Sequence, residues 1–230
     1  MKNLEGTAIT KRAAAAGLTF AGALMLSFSL AVVFGGGAPA LAQTAKIEEM
    51  TVEQILALPK PDQKAALEEY VKLHPDDPKG HFQLGNWYYD QFNAEEALAQ
   101  YKKVLSLSPD DFKALVNACI VLESTKKGDE ALAMYEEFIA RHPKDAVALA
   151  YYGETQWGLG RKSQAVDTYR KALSIDPNCP EAHFNLGVAF AEMGILREAV
   201  REWEAVAKAG KPEDLVARAK ENLKRAEERL

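Results

Sequence analysis

The chain has 230 residues, 48% of them apolar and 27% charged, a balance that suits a folded protein and excludes a disordered or collagen-like one. Its formal charge is −5; without residues 1–42, which hold Lys2, Glu5, Lys11 and Arg12, 25 basic residues face 32 acidic ones, giving −7. Such a surface has no net attraction for phosphate backbones, so nucleic acid is set aside as a partner.

The first element is the uncharged run Ala13 to Phe34, AAAAGLTFAGALMLSFSLAVVF, which follows the basic pair Lys11-Arg12. Its 22 residues are just enough to cross a bilayer. Gly35-Gly36-Gly37 then breaks the helix, Pro39 keeps the chain extended, and Ala40-Leu41-Ala42 offers the small-x-small pattern of a signal-peptidase site. The pattern predicts a cleavable export signal over residues 1–42, with a mature chain starting at Gln43 and a periplasmic or other extracytoplasmic location. The alternative is a retained membrane span over 13–34, with the basic pair holding the N-terminus in the cytoplasm and the rest outside. The Lys-Arg pair leaves the general and twin-arginine export routes both open.

After it, Thr51-Val52-Glu53-Gln54 has the form of a capping box, and Ile55, Leu56 and Leu58 give a short helix that stops before Pro59. Pro61 opens a second helix, with Ala65, Ala66, Tyr70 and Val71, that runs toward Pro75. Residues 43–77 are therefore predicted to form an atypical helix pair.

HFQLG at 81–85 returns as HFNLG at 183–187, 102 residues later, which is three periods of 34. Four segments, 78–111, 112–145, 146–179 and 180–213, fall into register. At one repeat position stand Ala97-Leu98-x-x-Tyr101, Ala131-Leu132-x-x-Tyr135, Ala165-Val166-x-x-Tyr169 and Ala199-Val200-x-x-Trp203. Further apolar residues follow three and four positions on, so the offsets mark one face of a helix. Pro109, Pro143 and Pro177 close these helices, because the residue before a proline is pushed out of the helical region. Asp77, Asp111 and Asp145 are candidate N-caps for the helices that follow, and Pro78 and Pro180 suit the first helical position. Gly85, Gly153 and Gly187 share a position that Cys119 fills in the second segment; a small residue there lets paired helices approach. Gly160 and Gly194 mark the turn seven residues later, where Phe92 and Lys126 depart. Beyond the repeats, residues 214–230 carry a stripe of Leu215, Ala219, Leu223, Ala226 and Leu230, as a capping helix requires.

The period of 34, the Leu-Gly of the first helix, the recurring Ala with an aromatic four residues on, and the closing proline resemble the tetratricopeptide repeat. The resemblance covers residues 78–213 and implies an all-α, right-handed α-solenoid of antiparallel helix pairs: four repeats, the eroded N-terminal pair and a C-terminal cap. His81, Leu115, Leu149 and His183 depart from the family's preferred Trp. His81 and His183 are read as packing residues, since three repeat steps separate them and a lone histidine needs further ligands to hold a metal.

No Gly-x-Ser-x-Gly, phosphate loop, His-Glu-x-x-His or Cys-x-x-Cys-His sequence occurs, so the chain reads as non-catalytic, without cofactor or metal. The resemblance implies a concave groove lined by the first helix of each repeat. Carried over position by position, it picks out Phe82, Asn86, Tyr89, Asn117, Tyr151, Glu154, Trp157 and Phe184. Asn86 and Asn117 match the asparagines of members that grip a C-terminal carboxylate, but Phe82, Val147 and Tyr151 stand where the cations belong, which rejects that clamp. Five acids (Asp90, Glu123, Glu154, Glu181, Glu192) against two bases (Lys79, Lys113) at groove positions favour a protein or peptide segment with apolar anchors and some basic character. Packing against neighbouring helices is the competing role for these aromatics. Cys179, at a helix N-terminus before Pro180, is a candidate reactive thiol. The expected function is a protein-binding scaffold exported to the bacterial cell envelope. The alternative, by fold-level analogy to cytochrome maturation, is a membrane-anchored assembly subunit.

Overall fold

The computed structural model describes residues 47–230; the expected export signal or membrane span, including residues 13–34, lies outside the described residues. The described chain is all-helical: α1 (Val52–Leu56), α2 (Lys60–Leu73), α3 (Pro78–Asp90), α4 (Ala94–Leu107), α5 (Phe112–Ser124), α6 (Gly128–Arg141), α7 (Ala146–Gly158), α8 (Lys162–Ile175), α9 (Pro180–Glu192), α10 (Leu196–Ala209) and α11 (Glu213–Glu227). Its helices form pairs of the tetratricopeptide type, and within each unit neighbouring helices pack on one another. The chain divides into two compact units, one ending at Ala114 and the other running from Leu115 to Leu230.

Local chemistry sets the helix ends. Thr51 and Gln54 form a reciprocal capping box at α1, with the Gln54 side chain accepting from the Thr51 amide at 2.7 Å and the Thr51 hydroxyl accepting in return at 3.3 Å. Asp77, Asp111 and Asp145 accept backbone N–H bonds at 2.9, 3.0 and 2.8 Å from Lys79, Ala114 and Ala148. Three of the second helices, α4, α6 and α8, stop two residues before Pro109, Pro143 and Pro177, and α2 stops likewise before Pro75. In each case the residue directly before the proline has left the α-helical region. The helix α10 ends otherwise, at Gly210 in the left-handed conformation with φ 75°.

In the first unit Val52, Ile55, Ala66, Leu67, Tyr70 and Leu84 make the core that joins α1, α2 and α3. In the second unit the recurring alanines and aromatics do the same work, since Ala131, Tyr135, Ala165, Tyr169, Ala199 and Trp203 are all buried. The small-residue position governs how closely paired helices approach. A Cβ added at Gly85 would lie 2.8 Å from a Tyr101 ring carbon, one at Gly153 2.6 Å from Tyr169, and one at Gly187 2.6 Å from the Trp203 indole nitrogen. Cys119, the exception, is fully buried and its thiol donates to the Ala131 carbonyl at 3.6 Å.

Candidate partner-binding face

Within the second unit the first helices α5, α7 and α9 lie side by side, and polar contacts run between consecutive members. The Thr155 hydroxyl of α7 donates to Glu123 of α5 at 2.6 Å. The Asn185 amide of α9 lies 3.5 Å from both Glu154 and the Ala150 carbonyl of α7. This layer places Asn117, Tyr151, Glu154 and Trp157 on first helices, each half-buried. Tyr151, Glu154 and Trp157 share α7 at spacings of three residues, and none of the three is fully buried.

Two of the expected groove aromatics already hold a cation of the chain itself. The Lys162 ammonium sits 4.8 Å above the Trp157 ring and 3.3 Å from Glu192, and the Arg218 guanidinium lies 4.3 Å above Phe184. Phe184 is only 4% exposed, because Leu215, Val216 and Ala219 of α11 close over it. The capping helix thus takes Phe184 into the core and leaves its backbone carbonyl to accept from the Trp203 indole at 3.3 Å. The sequence reading missed Lys162 and Arg218. Arg218 follows Leu215 by three residues and so borders the apolar stripe of α11; Lys162 lies at the start of α8, next to Trp157 through the intervening turn.

In the first unit, Phe82, Asn86 and Tyr89 are half-buried on α3. Phe82 meets Tyr101 edge-on at 5.9 Å. Asn86 accepts from the Tyr101 hydroxyl at 2.8 Å and donates to Gln83 at 3.2 Å, which makes it a tie between the paired helices. Toward the neighbouring pair, Tyr88 of α3 donates to Glu68 of α2 at 2.6 Å, and its phenol is pushed up to about 12 by burial first and the carboxylate second.

Cys179 departs from the expectation of a reactive thiol. Unlike the aspartates at the equivalent caps it makes no side-chain cap bond; it turns inward and packs, fully buried, with Ala146, Leu149, Ala150 and Ala182. Burial pushes its thiol up to about 12, and the Glu181 and Asp176 carboxylates push the same way, although a backbone hydrogen bond opposes them. Among the described residues no group of three or more His, Cys, Asp or Glu is placed to hold a metal ion, and no helix is long and apolar enough to cross a membrane.

Residues 78–111 match the tetratricopeptide repeat family, and residues 159–194 match a TPR repeat family. No curated protein matches the sequence. Among solved structures, MamA from Desulfovibrio magneticus RS-1 is similar at 23% identity and TM-score 0.56, over 74% of this chain and 97% of that one. A thermophilic TPR protein of Thermus thermophilus is similar at 18% identity and TM-score 0.56, over 80% and 99%. A tetratricopeptide repeat protein from Parabacteroides merdae is similar at 14% identity and TM-score 0.58, over 73% and 64%. At these identities the likeness is one of fold.

Proposed function

We propose that this tetratricopeptide array is a non-catalytic scaffold that holds a segment of another protein against the face formed by its first helices. The observation that carries the reading is the group Tyr151, Glu154 and Trp157 on α7, half-buried aromatics beside carboxylates. Large aromatic side chains are enriched where proteins bind one another. Their acidic setting suits a segment with apolar anchors and a Lys or Arg, since burial and cation–π attraction act together there. Asn117 adds an amide to the same layer, and Phe82, Asn86 and Tyr89 give α3 of the first unit a face of similar character. The site is assigned to an exported protein of the bacterial cell envelope on the strength of residues 1–42, whose apolar run and small-x-small ending have the form of a cleavable signal.

The test is affinity capture from an extracytoplasmic extract with the full chain and with a Tyr151→Ala, Trp157→Ala variant of unchanged helicity. A protein retained by the native chain and lost by the folded variant supports the reading. Equal retention by both sinks it. Fractionation addresses export separately: a soluble chain starting at Gln43 supports secretion, whereas a full-length membrane-bound chain supports an anchored assembly subunit.

A further inference from the structure

His81 and His183 stand 102 residues apart, and so do Gln100 and Glu202. The fold pairs them. Nδ1 of His81 lies 2.7 Å from the Gln100 side-chain oxygen and Nε2 lies 3.0 Å from the Pro75 carbonyl. Nδ1 of His183 lies 2.6 Å from a Glu202 carboxylate oxygen and Nε2 lies 3.0 Å from the Pro177 carbonyl. Each ring thus brackets a first helix between its own second helix and the closing loop of the preceding pair. The middle repeats have Leu115 with Met134 and Leu149 with Thr168 at these positions, and a leucine forms no such bracket.

The two brackets differ in burial, His81 being buried and His183 half-buried, and in the group facing Nδ1, an amide in one and a carboxylate in the other; that group sets the protonation each favours. A neutral imidazole has one N–H donor and one acceptor nitrogen. In the first bracket the Pro75 carbonyl takes the Nε2 proton, and an amide can turn its NH₂ toward the other nitrogen, so a neutral ring is satisfied. In the second bracket both neighbours, a carbonyl and a carboxylate, only accept. Both ring nitrogens must then carry hydrogen, and the fitting species is the imidazolium. A neutral His183 would set a nitrogen lone pair against an oxygen lone pair on one side, so that contact is lost and the bracket weakens.

We propose that the His183–Glu202 bracket is a pH-sensitive latch, holding the α9–α10 pair to the loop that closes the α7–α8 pair in its protonated form and loosening when the ring deprotonates. The His81–Gln100 bracket is its counterpart, of the same geometry but satisfied by a neutral ring. The charged groups acting on His183 are Glu202 from α10 and Asp176 from the closing loop. The Glu202 hydrogen bond, the Pro177 carbonyl and both carboxylates hold the imidazole above its ordinary value, against the effect of burial. A raised histidine contributes stability that is complete below its unfolded value of about 6.5 and is lost as the pH climbs through the folded value. The latch is therefore closed in mildly acidic solution and opens on the alkaline side.

Hydrogen exchange of the full chain at pH 6 and pH 8.5, corrected for the intrinsic rate, tests this without reference to any partner. Protection of α9 and α10 should fall by about threefold or more between the two conditions while that of α3 and α4 does not, since local opening reads the lost bracket directly. Glu202→Gln copies the bracket with which the first repeat already folds, so it should flatten the profile of α9 and α10 and lower the midpoint at which the His183 ring signals titrate. Gln100→Glu should install the fall in α3 and α4. Equal protection at both pH values in the native chain, or a fall that persists in Glu202→Gln, would overturn the proposal. If Glu202→Gln fails to fold, Gln100→Glu without a new fall would overturn it as well.

Discussion

Replacing Gly153 by Ala should destabilise the second unit even though alanine is the better helix former. The added Cβ would lie 2.6, 2.9 and 3.3 Å from three ring carbons of Tyr169, well inside ordinary contact at about 3.5–4.0 Å. The ring has nowhere to swing, because Tyr169 is 1% exposed and wedged among Ala165, Val166, Leu186 and Ala189. Overpacking of this kind costs about 1–3 kcal/mol, and the clash is close enough to place Gly153 in the upper half. Helix propensity returns about 1 kcal/mol. The net expectation is a loss of about 1–2 kcal/mol, read as a lower urea midpoint at unchanged slope by circular dichroism. Gly158→Ala, on the same helix, is the control: a Cβ there meets nothing within 4 Å, so only the propensity gain acts and the variant should be neutral to about 1 kcal/mol more stable. The second pair shows that the position itself accepts a side chain, since Cys119 and Tyr135 are both buried there; that pair has assembled around the extra atoms, whereas α7 and α8 have assembled around a hydrogen. A Gly153→Ala chain as stable as Gly158→Ala would refute the reasoning.

Other consequences are equally direct. Phe92 is held at φ 61° and is 96% exposed, so Phe92→Gly relieves left-handed strain of about 1–2 kcal/mol and gives back about 0.4–1 kcal/mol through the unfolded chain; a small rise in midpoint is expected, and a fall would contradict it. Asp145→Ala removes the oxygen that accepts from Ala148 and should cost about 1 kcal/mol, whereas Asp145→Asn should cost little in the same urea titration. Cys179 in the native chain should react with a maleimide at neutral pH far more slowly than a small free thiol, because it is buried and held near 12; rapid labelling without unfolding would show that the thiol is reached in the folded state.

The fold was legible because it is a local code repeated. The period, the prolines that end helices, the aspartates that begin them and the alanine-plus-aromatic face each act over a few residues, and a turn that asks for a positive φ shows as Gly160 and Gly194, at 76° and 79°. Phe92 and Lys126 hid two of those turns, since they adopt the same conformation at φ 61° and 62° without being glycine. The site was less legible because its decisive contacts join residues far apart in the chain. Phe184 occupies a groove position by counting, yet α11 covers it; nothing within its own repeat says so. Cys179 was read from the field of a helix N-terminus, but that argument holds for a thiol at the surface, and this one faces alanines and a leucine. The two histidine brackets had a signal in the sequence that went unused: Gln100 and Glu202 each follow their histidine by 19 residues.

Site-specific photo-crosslinking tests most directly whether a partner lies on the first-helix face. A photoreactive phenylalanine analogue would replace Tyr151 of α7 in one chain and Arg170, exposed on the second helix α8, in another, each expressed in the source cells. Crosslinks to one protein from position 151 and none from position 170 are the predicted result. Crosslinks from position 170 alone, or equally from both, would contradict it.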